Sequence, residues 1–190
     1  MNITELPKNA RYAYDEIDEI LKQPTPRKIP RSIVLLLRPP IFIAGVINLM
    51  LGVIALVILV VLNIATNMPL AFVALSTISL LIGAIFTGLG AISVARKIHV
   101  LSRGIRGRCK ITSISALPYH ASGEGFFMLG VITNTGDECH TIVSSYNIRT
   151  FMNIADSEEN SPEVVYIPGK KLCVLPLALA LRMQYKNFTY

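Results

Sequence analysis

The chain has 190 residues, of which 52% are hydrophobic and only 16% charged, and its mean hydropathy is +0.53. That balance excludes a soluble or disordered class and points to an integral membrane protein. The net charge of +6 invites a nucleic-acid reading, but its distribution along the chain assigns it to a membrane surface.

The opening residues, Met1-Asn2-Ile3-Thr4-Glu5-Leu6-Pro7, lack a basic segment followed by an apolar one. The first long apolar run is therefore expected to act as an uncleaved signal-anchor. Asn9 to Gln23 reads as a short amphipathic helix: Ala10, Ala13, Tyr14, Ile17, Ile20 and Leu21 recur at helical spacing and share one face. Asp15, Glu16, Asp18 and Glu19 cover the rest, with Arg11–Asp15 and Asp18–Lys22 as i,i+4 pairs. Membrane-surface helices carry Lys and Arg on the polar face, so this acidic one is expected to dock on protein. Pro24 and Pro26 end it and begin a stiff basic linker. Ile33–Leu37, bounded by Arg31 and Arg38, reads as a kinked interfacial segment, cut off from the next apolar run by Pro39 and Pro40. Residues 1–40 thus form an amino-terminal arm.

Two apolar runs come next, 41–64 and 70–95, free of Lys, Arg, Asp and Glu. At about 24 and 26 residues each exceeds the ~30 Å of a bilayer's hydrocarbon core when helical. Backbone in lipid must satisfy its own N–H and C=O groups, so the expectation is a transmembrane hairpin of two helices. Basic residues flank it on both sides: Arg27, Lys28, Arg31 and Arg38 before, and Arg96, Lys97, Arg103, Arg106, Arg108 and Lys110 after. This positive-inside pattern predicts contact with lipid head groups, both termini in the cytoplasm, and no nucleic-acid partner. Within the hairpin, helix association depends on close backbone approach. Ser79, Gly83, Thr87, Ala91 and Ala95 recur every four residues, and Ala44, Asn48 and Gly52 form a shorter ladder. Asn48 stands alone at membrane depth, which favours packing within the hairpin or in a homo-oligomer over an ion path.

Residues 96–190 switch to strand periodicity. Arg108–Ala116 alternates until a phase slip at Ser113-Ile114, the mark of a bulge. Gly125–Thr133 and Glu138–Ser145 form a hairpin across Asn134-Thr135-Gly136-Asp137, and 163–167 with 171–175 a second across Pro168-Gly169-Lys170. Leu177–Leu181 is a last strand or a short helix. The expected fold class is a membrane α-helical hairpin plus a β-rich small barrel or sandwich, with the short amino-terminal helix.

The two membrane helices, the segment Gly104-Ile105-Arg106-Gly107-Arg108, the long hairpin and Val164-Val165-Tyr166-Ile167-Pro168 resemble a broad group of uncharacterised bacterial membrane proteins. Those carry a small β-domain whose strand ends in V-x-Y-x-P. Here Ser161-Pro162 stands where a glycine is usual. The resemblance implies this architecture and a bacterial inner membrane, and no activity. The layout is also similar to NfeD-type proteins, in which a cytosolic OB-fold comes after membrane helices.

His99, His120 and His140 are isolated, and Cys139 and His140, as strand neighbours, point to opposite faces. Gly123-Glu124-Gly125 is a loop rather than a phosphate cradle. Cys109, Cys139 and Cys173 match no zinc spacing and are expected as free, buried thiols. The expectation is a non-enzymatic membrane protein with no catalytic residue, metal or cofactor. Its β-domain would bind a protein partner, as an accessory or immunity-type protein does. The alternative is an oligomeric channel or transporter component.

Overall fold

The computed structural model describes residues 8–66, 70–121, 124–144 and 161–186. The chain divides into two compact units: residues 38–95, and residues up to 37 together with those from 96 onward. The arm and the β-domain, separated in sequence by the hairpin, therefore belong to one unit.

The first unit is the hairpin, built from α3 (Pro40–Thr66) and from α4 (Leu70–Arg103) up to Ala95. Pro40 opens α3, where its missing N–H costs nothing and its fixed φ suits the first turn. Both helices contain stretches long and apolar enough to cross a membrane, Ile41–Val61 and Val73–Arg103. Their apolar side chains do not form a buried core: Ile47, Met50, Leu51, Val57 and Val61 on α3, and Leu75, Leu81, Ile85 and Leu89 on α4, are all exposed.

In the second unit α1 (Lys8–Lys22) buries the whole predicted stripe, Ala10, Ala13, Tyr14, Ile17, Ile20 and Leu21, and lies against α5 (Pro176–Lys186). The open alternative for Leu177–Leu181 is thus settled as helix. Between them α2 (Arg31–Leu36) also touches α5, and Ile33 is buried. In the segment expected at the membrane interface, Ile33 and Leu37 are buried against protein and Leu35 is exposed.

The sheet is antiparallel, in the order β3-β2-β1-β4-β5, with β1 Ile105–Ala121, β2 Glu124–Thr133, β3 Glu138–Ser144, β4 Glu163–Tyr166 and β5 Cys173–Val174. β1 serves two neighbours: Ile105–Arg108 pair with β4, and the register from Cys109 onward is with β2. The register slips between Ile111 and Ser113, a bulge at the predicted place, and again between Ala116 and His120, around Pro118, which has no N–H to give. Among the described residues a single parallel bridge, His140 to Leu172, joins β3 to the β5 end and nearly closes the barrel. The two turns of this barrel are laced together. Gly136 and Gly169 take the positive φ their turns require, and the Gly169 N–H donates to Asp137 Oδ1 at 3.3 Å. Thr135 Oγ1 lies 2.8 Å from the Tyr166 hydroxyl. Leu129, Val131, Cys139, Val164, Val165 and Tyr166 fill the core.

Candidate functional site

The polar chemistry of the second unit converges where α1 meets β1 and β4. The α1 stripe leaves Tyr14 and Asp18, one helical turn apart, facing the barrel. Tyr14 Oη donates to Glu163 Oε2 at 2.9 Å. Glu163, at the start of β4, is paired with Arg108 on β1, and the neighbouring Arg106 reaches it with Nη2 at 2.7 and 2.8 Å from its two oxygens. The same Nη2 lies 2.6 Å from Asp18 Oδ1, a buried oxygen whose contact is an ion pair rather than a well-formed hydrogen bond. Asp18 Oδ2 in turn holds Lys22 at 2.7 Å, the predicted i,i+4 pair.

The titration of this cluster derives from its geometry. Burial would raise the Asp18 carboxyl, but the Lys22 hydrogen bond and the Arg106 charge outweigh it and hold the group below the usual carboxylate range. Burial likewise opposes the charge on Arg106, and Glu163 and Asp18 more than restore it, so its pKa is raised. Burial, followed by the Glu163 charge, pushes the Tyr14 hydroxyl well above its ordinary value, keeping it a donor.

A second anchor lies five residues beyond α1. Arg27 is buried, and its Nη1 donates to Leu101 O at 3.0 Å and Gly104 O at 2.8 Å, with Nε to Gln23 O at 3.2 Å. Its backbone N–H donates to Ser102 O, and Ser102 Oγ returns a bond to Arg27 O, both at 2.9 Å. The guanidinium thus caps the carbonyl end of α4, where a cation is favoured. Burial lowers its pKa. A side chain on Gly104 is excluded here, since a Cβ would collide with the backbone carbonyl of Val100 and sit 2.9 Å from that of Tyr166.

Of the ten basic residues expected at head groups, Arg27 and Arg106 are therefore engaged in protein contacts. Lys28, Arg31, Arg96, Arg103, Arg108 and Lys110 are exposed, and Lys97 is half-buried. Arg38 sits 5.4 Å above the Phe42 ring.

In the hairpin, Asn48 and Ser79 bond reciprocally: Ser79 Oγ donates to Asn48 Oδ1 at 3.0 Å, and Asn48 Nδ2 donates to Ser79 O at 3.3 Å. A Cβ on Gly83 would meet Leu49 N at 2.7 Å, one on Gly45 would meet Thr87 N at 2.6 Å, and one on Gly90 Phe42 Cβ at 2.5 Å. Gly52 faces Leu80. Ser79, Gly83, Thr87, Asn48 and Gly52 of the predicted ladders are brought together; Ala44, Ala91 and Ala95 are exposed. Gly45 and Gly90 take their places.

Cys139 points into the barrel and His140 is exposed, so the two do not meet as nucleophile and base. Among the described residues no group of three or more His, Cys, Asp and Glu is arranged to hold a metal ion. No family model, curated protein or solved structure matches the chain.

Proposed function

We propose that this chain is a non-enzymatic inner-membrane protein: its hairpin anchors it and its barrel, with the arm clasped to it, binds a protein partner. The observation that carries the partner reading is an apolar stripe on the outer face of the barrel. Met128 and Ile142 are direct cross-strand neighbours, each with more than a third of its surface exposed, and Ile132 lies further along the same face of β2. Polar residues belong at such positions in a solvated sheet, and a rimmed apolar patch suits a protein interface. The exposed Ile, Leu and Val side chains of α3 and α4 support placement in lipid, where they need no further cover. The basic flanks support cytoplasmic termini. The strand order, with β3 next to β5 in parallel, supports the OB-type barrel of the NfeD-like layout.

The test is photo-crosslinking in cells from a probe at Met128, with Met128→Glu/Ile142→Glu as the control. A discrete crosslinked protein that the double variant loses is expected. A chain that crosslinks to nothing and purifies as a lone monomer would end the reading. For topology, the three native thiols are buried, so an impermeant thiol reagent must be aimed at an exposed position such as Thr112→Cys. Labelling there in intact cells would reverse the assigned orientation.

The channel alternative rests on self-association. Gly88 has nothing within 4 Å of its would-be Cβ, and Ala84 beside it is exposed, so α4 keeps a small-residue face open to a second copy. Asn48, already bonded to Ser79, favours packing over a path. Retained flux in an Asn48→Leu variant would remove it from any conduction role.

A further inference from the structure

The barrel's seam is its weakest joint, and two of its three thiols lie there. β5 is two residues long and pairs with β4 only through Val165–Val174 and Tyr166–Cys173. Among the described residues its end of the sheet meets β3 through the His140–Leu172 bridge and the His140 N–H bond to Lys171 O at 2.7 Å. Cys139 precedes one bridge residue and Cys173 comes directly after the other. Strand side chains alternate, so both thiols lie on the side opposite exposed His140, and both are fully buried. Cys139 Sγ donates to Lys170 O at 3.4 Å, on the turn that leads into β5, which ties the β3 thiol to the segment that carries Cys173.

Cys109 sits differently. It lies on β1, paired with Thr133 on one side, and on the other both its N–H and its thiol donate to Pro162 O, at 3.0 and 3.4 Å. Freeing it requires opening the longest strand rather than the shortest.

We infer that Cys139 and Cys173 are a redox pair gated by the barrel seam: when β5 parts from β3 they exchange with a low-molecular-weight disulfide and become cross-linked, locking the seam. One thiolate attacks the small disulfide, forming a mixed disulfide and releasing one small thiolate. The second protein thiolate attacks the mixed disulfide at the protein sulfur and releases the other. Two protein thiols are thus oxidised to one disulfide, the small disulfide is reduced to two thiols, and the two protons pass to the departing sulfurs. The closed barrel resists this. Burial raises the pKa of both seam thiols, so little thiolate exists until the seam opens. Short elements with few pairings open at lower free energy than core strands, and that sets the order of reactivity.

The experiment uses the full chain in detergent, treated with oxidised glutathione, then alkylated, digested and read by mass spectrometry. The expected product links the Cys139 and Cys173 peptides, with Cys109 alkylated only after denaturation. Cys109→Ser should form the same link, and Cys139→Ser or Cys173→Ser should not. In the untreated native chain, Cys139 and Cys173 should alkylate at least about tenfold faster than Cys109. That rate order decides the matter even where a variant does not fold. Equal rates at the three thiols, a cross-link that includes Cys109, or a folded protein whose thiols all survive the oxidant would overturn the inference.

Discussion

Replacing Arg106 by Met keeps most of the aliphatic stem and removes the charge that holds α1 to the barrel. One nitrogen of Arg106 serves three carboxylate oxygens, at 2.6, 2.7 and 2.8 Å. A hydrogen bond to a charged group is worth about 1.5–3 kcal/mol when well shielded. Here the side chains of Arg106, Asp18 and Glu163 are 33%, 20% and 28% exposed, so solvent screens part of that. A net loss of about 2 kcal/mol for the cluster is the reasonable figure, since the buried Asp18 oxygen is left without its cation. The apolar face of α1 is worth more: Ile17, Ile20 and Leu21 alone contribute about 1.5–3 kcal/mol each on full burial. The arm should therefore stay docked on average and open more often. Amide exchange over 8–22 should rise about 30-fold, the factor that corresponds to 2 kcal/mol. Exchange in β2 and β3 should stay unchanged, and Arg106→Lys should give an intermediate value. If α1 exchange does not move, or if the barrel strands accelerate with it, the cluster is not a local clasp.

The same arm should respond to pH in a defined direction. Asp18 is held below its ordinary pKa, so its contribution is fully present above the usual carboxylate range and is lost as pH falls through the depressed value. After correction for intrinsic rates, α1 exchange should be flat from about pH 7 to 5 and rise only below about 4. Tyr14 is raised, so its contribution is present below about pH 10 and is lost as pH climbs beyond it; Tyr14→Phe should abolish that alkaline phase. In the hairpin, Gly83→Val forces Leu49 backbone away and should cost about 1–3 kcal/mol of helix pairing, measured by steric trapping in bicelles. Gly88→Val, with open space around it, should leave pairing within one hairpin unchanged. Arg27→Gln should uncap α4 and raise exchange at 101–106 well before it affects β2.

What the sequence made legible was whatever a local period encodes. The α1 stripe, the two apolar spans, the Gly136 and Gly169 turns and the bulge near Ser113 are each fixed by neighbours within a few residues. The hairpin contact was half legible. A strict four-residue ladder advances about 40° per step around a 3.6-residue helix, whereas a pair of nearly parallel helices meets along a seam of period near 3.5. The observed seam on α4 runs Ser79, Gly83, Thr87, Gly90, and on α3 Phe42, Gly45, Asn48, Gly52. Both ladders therefore hold over the middle of the helices and drift off at Ala44, Ala91 and Ala95.

The clasp was not legible, for a different reason. Tyr14 and Glu163 are 149 residues apart, and Arg27 and Gly104 are 77 apart. No period links such residues, and a basic residue near a membrane span looks the same whether it faces lipid or a carbonyl. The difference lies in what closes around it. Arg27 is buried because the end of α4, around Ser102, packs against the arm's linker. Arg106 finds two carboxylates because β1 starts just past that point, with β4 on one side and α1 above. The positive-inside pattern and the clasp thus draw on the same basic residues. Partners separate them: neutralising exposed Lys28 or Arg103 should weaken membrane orientation without loosening the arm, and Arg106→Met, which removes the ion pairs to Asp18 and Glu163, should do the reverse. A topology reporter and α1 exchange, read on the same variants, would show whether the two roles divide along that line.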